Sequence, residues 1–280
     1  MKIRKDTSEV AMRDRVYTRE DIMAQLAAMG APRDRAVLVH TSLRLIGKTE
    51  GGAEALLDAF IEYFTADGGL FCVPTHTWHL LGEDVVLDMS SEDNCLGVFS
   101  TVALRDGRGV RSENPTHSMV VFGERERARR FVCDDAYVKT PTAPESAYGK
   151  LFSEGGYVLL AGVSQNKNTY LHAVAEILGL PNRMEKNYYK VGVIRENGER
   201  AERDFKLFYA DFSDDVSHRF EKYDMAFRYH GCITDGFIGD APTQLCDARK
   251  MKETVELIWG NSDGVDPLGT EEPIPPRWYC

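Results

Sequence analysis

Apolar and polar positions follow two different periods along this chain, and the switches between them mark its elements. Ile22, Leu26 and Met29 recur at helical spacing behind Thr18, a hydroxyl set three residues before Asp21, and Gly30 ends the run. That pattern predicts a helix opened by a capping box with Asp in the usual Glu position. Ala36-Val37-Leu38-Val39 is continuously apolar and stops at His40-Thr41-Ser42, as a short buried strand would. Gly51-Gly52 opens a second helical pattern with Leu56, Phe60, Tyr63 and Phe64 on one face. Asp67-Gly68-Gly69 then turns into another strand, Leu70-Phe71-Cys72-Val73, which Pro74 closes. Strand, helix, strand is the signature of an α/β protein.

Further on, Ser118–Phe122 reads as a strand, Glu124–Phe131 as a charged helix and Tyr157–Ala161 as a strand. A short polar loop leads from there into a helix from about Asn168 to Leu178. Tyr188–Ile194 and Ala201–Phe205 flank Glu196-Asn197-Gly198-Glu199, where Asn-Gly predicts a tight hairpin turn. Helices are expected near 214–229 and 243–259. Residues 80–115, rich in Asp, Ser, Gly and Arg, form a stretch too long for an idle loop and a candidate lining for a site. The expected fold class is α/β: a single mixed-sheet domain flanked by helices, with an added β-hairpin subregion. Residues 1–17 are expected as a polar N-terminal arm, 18–266 as the domain, and 267–280 as a Pro-rich tail packed on it.

Composition narrows the function. The 280 residues carry 34 basic and 44 acidic side chains, a net charge of −10, which argues against nucleic acid as a partner and suits a cationic ligand. No apolar run reaches the length of a membrane span, and MKIRKDTSEV lacks a secretory apolar region, so a cytoplasmic protein is expected. Six cysteines lie far apart without paired spacing, as reduced thiols would, with Cys72 inside an apolar run.

In α/β folds functional groups collect beyond the carboxyl ends of the strands. His40-Thr41-Ser42, Thr75-His76-Thr77-Trp78-His79 and Ser164–Thr169 stand at such positions, and Arg111–Ser118 precedes a strand. The sharpest pair is His172 and Glu176, one helical turn apart, where an imidazole could donate to a carboxylate and keep its other nitrogen basic. The same spacing also suits a plain solvated pair. His76 and His79 raise the question of zinc, but HExxH and a third ligand are missing, and no metal is expected. Gly162-Val163-Ser164 opens like a nucleophile elbow, yet Gln165-Asn166 follows where GxSxG needs its second glycine. Neither GxGxxG nor a Walker motif occurs. Gly51-Gly52 at a helix start is a turn or a phosphate cradle.

Taken in order, HTSLRLIGKTEGG (40–52), VPTHTW (73–78), RSENPTHSMVVFG (111–123), KLFSEGGYVLLAGVSQNKNTYLHAVAE (150–176) and GCITDGFIGDAP (231–242) resemble the aminoglycoside 3-N-acetyltransferase, or antibiotic N-acetyltransferase, family. The resemblance implies acetyl transfer from acetyl-coenzyme A to an amine, on an α/β fold that is not GNAT-like. It implies that His172 is the catalytic histidine, Glu176 the carboxylate orienting it, and Thr75 the active-site threonine near the thioester. Thr41, Ser42, Leu43, Gly47, Arg111, Ser112, His117 and Ser118 fall in segments that resemble the coenzyme-binding loops. Two departures stand out: Asn114 replaces the His of the usual RSxHP, and His76 replaces the aromatic residue of PTxT.

The function expected is an acetyl-coenzyme A-dependent N-acetyltransferase acting on the 3-amino group of 2-deoxystreptamine aminoglycosides, by direct transfer with a His general base. Thr75 or a backbone amide would meet the oxyanion, and Arg44, Lys48 and Arg111 are candidates for the coenzyme phosphates. The acidic loops Glu83-Asp84, Asp88 and Glu92-Asp93 could attract a polycationic acceptor. Alternatives are an N-acetyltransferase of another small amine metabolite, a metal-assisted hydrolase, or a non-catalytic binding protein. The partners expected are a small cationic amine and coenzyme A, with no nucleic acid and no membrane, in a monomer or homodimer.

Overall fold

The computed structural model describes residues 15–208 and 215–280. Strand β1 (Val16–Tyr17) leads into α1 (Arg19–Ala28), and the capping box is formed. The Asp21 amide donates to the Thr18 hydroxyl and the Thr18 amide to the Asp21 carboxylate, each at 3.1 Å. Next come β2 (Ala36–Thr41), the short helix α2 (Leu43–Ile46), β3 (Lys48–Thr49), α3 (Gly52–Thr65) and β4 (Leu70–Pro74). Helix α3 buries Leu56, Phe60, Tyr63 and Phe64, the face its spacing predicts. The stretch 80–115 has structure of its own: β5 (Leu87–Asp88), α4 (Val98–Arg105) and β6 (Val110–Arg111). The chain continues through β7 (Met119–Phe122), α5 (Arg125–Val132), α6 (Ala147–Ser153), β8 (Tyr157–Ala161) and α7 (Tyr170–Ile177).

The expected hairpin is β9 (Tyr189–Ile194) paired antiparallel with β10 (Arg200–Phe205). The helix expected near 214–229 divides into a 3-10 segment, Val216–Tyr223, and α8 (Asp224–Tyr229), while residue 214 lies outside the described residues. A second hairpin, β11 (Ile233–Ile238) and β12 (Ala241–Asp247), takes up the first five residues of the helix expected over 243–259. Burial of Ala241, Thr243 and Leu245 with Pro242 and Gln244 turned outward is period two, the pattern of a strand. Helix α9 (Ala248–Gly260) starts only where the Asp247 carboxylate accepts from the Lys250 amide at 3.1 Å.

Seven strands form one mixed sheet in the order β11-β12-β8-β2-β4-β7-β6, with β2 parallel to both β8 and β4 and the remaining pairs antiparallel. Leu38, Cys72, Val121, Val158 and Leu160 face one apolar cluster with residues of α5, α6, α7 and α9. Val37, Val39, Phe71, Val73 and Leu159 face another with residues of α1, α3 and α4. Helices on both faces explain why the central strands read as unbroken apolar runs. Leu268, Ile274 and Tyr279 of the C-terminal segment are buried in the first cluster. The hairpin β9–β10 joins β5 in a separate three-stranded sheet. At the other end, β1 pairs in parallel with β3, and Tyr17 is buried.

Gly162, directly after β8, shows how closely the loops beyond the strands meet. Its φ is +71°, and a Cβ there would lie 2.9 Å from Leu45 Cβ and 3.2 Å from Ala241 Cβ. Gly162→Ala therefore combines left-handed backbone with a steric clash, and should cost about 1–3 kcal/mol. A urea midpoint equal to that of the parent protein would contradict this packing.

Candidate active site

Because β2, β4 and β8 run in parallel, their last residues leave the sheet on one edge, and antiparallel β7 begins there. That edge brings together Thr41 and Ser42, Thr75, Ser118, Arg111 and the loop after Ala161. The Ser42 amide donates to the Ala161 carbonyl at 2.9 Å, so the first and third of these loops are stitched together. Leu43 starts α2, and Gly47 ends it with φ +87°, where a Cβ would lie 2.8 Å from Asp240 Oδ2. Tyr17 Oη donates to Asp240 Oδ1 at 2.5 Å, and burial with this carboxylate pushes the phenol up to about 12.

Thr75 is fully buried, and its amide donates to the Ser118 carbonyl at 2.8 Å. Ser118 Oγ donates to the Thr75 carbonyl at 2.8 Å and stands 2.9 Å from Thr75 Oγ1. A serine has one proton, so in that arrangement Thr75 donates to Ser118 and presents lone pairs. Arg111 Nη1 donates to the carbonyls of Asp88 and Ser91 at 2.9 and 2.7 Å, and Nε lies 3.5 Å from Ser118 Oγ. Its guanidinium ties down the 88–91 loop, and its Nη2 is buried without a partner among the described residues. Burial lowers Arg111 to about 10, which leaves it cationic at neutral pH. The phosphate contact expected of Arg111 thus competes with carbonyls already held. Ser112 is buried deeper, its hydroxyl accepting from the Met119 amide at 3.1 Å and bonding the Asp135 carboxyl.

Behind these groups four of the seven histidines converge. His40, at the end of β2, is buried with Nε2 unpartnered among the described residues, and desolvation draws its pKa down to about 4. His76 Nε2 lies 2.7 Å from Tyr148 Oη. Burial keeps that phenol protonated, so it can donate to Nε2 when the His76 proton sits on Nδ1. The His76 and His117 rings are 4.4 Å apart, and His117 Nδ1 is 2.8 Å from Thr116 Oγ1. Burial, with His172 nearby, lowers His117 to about 3, and burial with the neighbouring imidazoles holds His76 well below the usual range. His172, in the first turn of α7, lies flat on Phe208 at 4.1 Å and 17°, with Phe220 edge-on at 4.9 Å. Desolvation lowers it to about 4, against the pull of the Asp215 carboxylate and with Arg183 reinforcing the fall.

The hydrogen bond expected between His172 and Glu176 is not made. Glu176 Oε1 accepts from the Thr142 amide at 2.9 Å and the Thr142 hydroxyl at 2.6 Å, and Thr140 bonds it too. Those donors satisfy the carboxylate in a rotamer that leaves the imidazole alone, and burial raises its pKa. His76 and His79 also part company: His79 pairs with exposed Asp93 at 3.2 Å. Among the described residues no group of three or more His, Cys, Asp or Glu could hold a metal ion. Asn114 is fully buried, donating to the Pro141 carbonyl at 2.8 Å and accepting from the His117 amide at 3.0 Å. Its amide fastens the loop that delivers His117, which needs no proton transfer. Two surface grooves, of about 350 and 300 Å³, are lined by residues including Ser164, Phe237 and Gln244 in one and Asp58 and Arg108 in the other, without any of these histidines.

The chain matches the family model described as aminoglycoside 3-N-acetyltransferase over residues 38–258, and it belongs to that family of acyltransferases. It is 25% identical over 266 residues to the SPbeta prophage-derived aminoglycoside N(3')-acetyltransferase-like protein YokD of Bacillus subtilis (strain 168), covering 88% of this chain and 93% of that protein. The structure of AAC-IIIb binary with CoASH is similar with a TM-score of 0.74 at 21% identity, over 89% of this chain and 98% of that one. A mutant of AAC(3)-IVa in complex with a gentamicin is similar with a TM-score of 0.75 at 21% identity, over 95% and 99%. Both share the fold described above.

The buried imidazoles set an acid limit on stability. Each has a folded pKa below its unfolded value of about 6.5, so the unfolded chain binds more protons and stability falls as pH drops from there towards 4. His40 alone would lose about 3 kcal/mol across that window. Asp135, raised to about 6 by burial, works the other way but is outnumbered. The urea midpoint should fall steeply between about pH 6.5 and about pH 4.5. His40→Leu should make that slope shallower, and an equal slope in the two proteins would contradict the account.

Proposed function

We propose that this chain transfers an acetyl group directly from acetyl-coenzyme A to the 3-amino group of a 2-deoxystreptamine aminoglycoside, with His172 as the general base. The observation that carries this reading is a neutral imidazole, free of its expected carboxylate, set at the carboxyl edge of the sheet beside the loops that bear Thr75 and His117. Family membership supports it, as do two structural neighbours, one solved with CoASH and the other with a gentamicin. Acetyl-coenzyme A supplies an activated thioester. Thr41, Ser42, Leu43 and Gly47 form the loop proposed to receive the coenzyme. Arg44 and Lys48 stand exposed on that loop with no ion-pair partner among the described residues, and are better placed for phosphates than Arg111.

An ammonium has no lone pair to attack a carbonyl, so the acceptor reacts as the free amine. As the C–N bond forms the nitrogen becomes strongly acidic, and even an imidazole with a low pKa takes its proton at that stage. The C–S bond then breaks, and His172 can return the proton to the departing sulfur. The oxyanion needs a donor in place. Thr75 can serve if Ser118 turns its proton from the Thr75 carbonyl onto Thr75 Oγ1, an exchange between acceptors at 2.8 and 2.9 Å. Of the acidic loops, Glu92 is paired with Arg105, Asp93 with His79 and Asp84 with Arg200 at 3.9 Å, which leaves exposed Glu83 as the freer attractant for a polycation.

His172→Ala should lower kcat by roughly 10²-fold or more, the range of a lost general base. In the parent protein the pH profile of kcat/KM should show no break near the ordinary imidazole value of about 6.5, because burial has moved His172 to about 4. Full turnover by His172→Ala would remove the base from the mechanism. Thiol release from acetyl-coenzyme A, measured against aminoglycosides, simple amines and no acceptor, separates the possibilities. Release that depends on an aminoglycoside is expected; release without an acceptor would mark a hydrolase, and preference for simple amines a different transferase.

A further inference from the structure

Glu176 leaves the orientation of His172 unexplained, and the explanation lies on the hairpin. Phe208 follows β10 and pairs with Met184 in an isolated antiparallel bridge. Its ring lies against two imidazoles at once, stacked on His172 at 4.1 Å and 17° and edge-on to His117 at 5.0 Å and 78°. The strand that leads into it is fastened by Arg203, whose Nη1 donates to the carbonyls of Glu113 and Asp135 at 2.9 and 3.2 Å. The Arg203 guanidinium also pairs with the Glu113 carboxylate, which Arg195 meets at 3.3 Å. Glu113 belongs to the same loop as Asn114 and His117, so the hairpin and the histidine loop are bound to each other as well as to the ring.

From these contacts we infer that Phe208 is the positioning residue for the base, holding the His172 ring in one plane by stacking on its face. The inference rests on the role proposed for His172 above. An imidazole nitrogen holds its lone pair in the plane of the ring, so a proton can be taken only by an edge-on approach. A ring packed on the face leaves that edge open and stops the imidazole turning about its bond to Cβ. Phe220 meets the same imidazole from a second direction. Asp215, Arg183, His76 and His117 surround it electrostatically, but among the described residues no side-chain hydrogen bond fixes its plane. On this account β9–β10 takes part in catalysis by delivering one aromatic face.

Phe208→Leu keeps an apolar group of similar size but removes the flat face. It should lower kcat about tenfold or more, as misaligned reacting groups do, with little change in the KM for acetyl-coenzyme A. Phe208→Tyr should restore near-parental kcat. The His172 ring protons should lose their upfield ring-current displacement in Phe208→Leu and keep it in both Phe208→Tyr and Glu176→Gln. Parental kcat in Phe208→Leu, a loss confined to KM, or unmoved His172 resonances would overturn the assignment. If Phe208→Leu does not fold, Phe208→Met is read in the same way, and failure of Phe208→Tyr to restore kcat counts against it. Should His172→Ala turn over normally, the base assignment fails, while the resonances still decide whether Phe208 holds the ring.

Discussion

The parallel run of β2 beside β4 and β8, each strand covered by helices on both faces, is the constraint on which the site depends. A strand buried on two sides has no room for polar side chains along its length, so hydroxyls, imidazoles and amides gather where the strand leaves the sheet. Parallel alignment puts those exits on one edge. The antiparallel neighbour β7 then returns its own first residues to the same place, which is how Ser118 comes to face Thr75 across 2.9 Å. No long-range design is needed beyond the register of a few apolar residues, such as Val37 opposite Phe71 and Val39 opposite Leu159.

Burial also decides the electrical character of the site. Four imidazoles crowded together could not all be protonated, and desolvation settles the matter by keeping them neutral. The basic nitrogen that transfer chemistry requires is then present without any partner to create it. Elsewhere an orienting carboxylate does this work. Here the carboxylate one turn along the helix is occupied with Thr142, and aromatic faces fill the space around the ring.

The central strands were legible because their burial on both faces leaves an unmistakable apolar run, and α1 because Thr18 and Asp21 mark its start. Helix α6 was not: its seven residues include Gly149, and only Ser146, whose hydroxyl accepts from the Gly149 amide at 3.3 Å, signals it. The strand β12 was hidden because Gln244 and Cys246 blur a weak alternation that runs straight into a helix. His172 could be found from its motif, yet its bond to Glu176 could not be foretold. Spacing along a helix sets where two side chains begin, while competing donors decide where they end. Phe208 and Tyr148 owe their place at the site to tertiary packing. An aromatic pair, Phe208-Tyr209, shortly after a hairpin strand was the one signal for Phe208.

Tyr17 joins parts of the molecule that sequence distance would keep separate. Its hydroxyl grips Asp240 in the turn between β11 and β12, and the Asp240 carboxylate occupies the space that Gly47 leaves open. The entry of the chain, the hairpin at the sheet's far margin and the loop proposed for coenzyme therefore share one fastening. Any trimming of the N-terminal end that reached this tyrosine would be felt as slack in that loop.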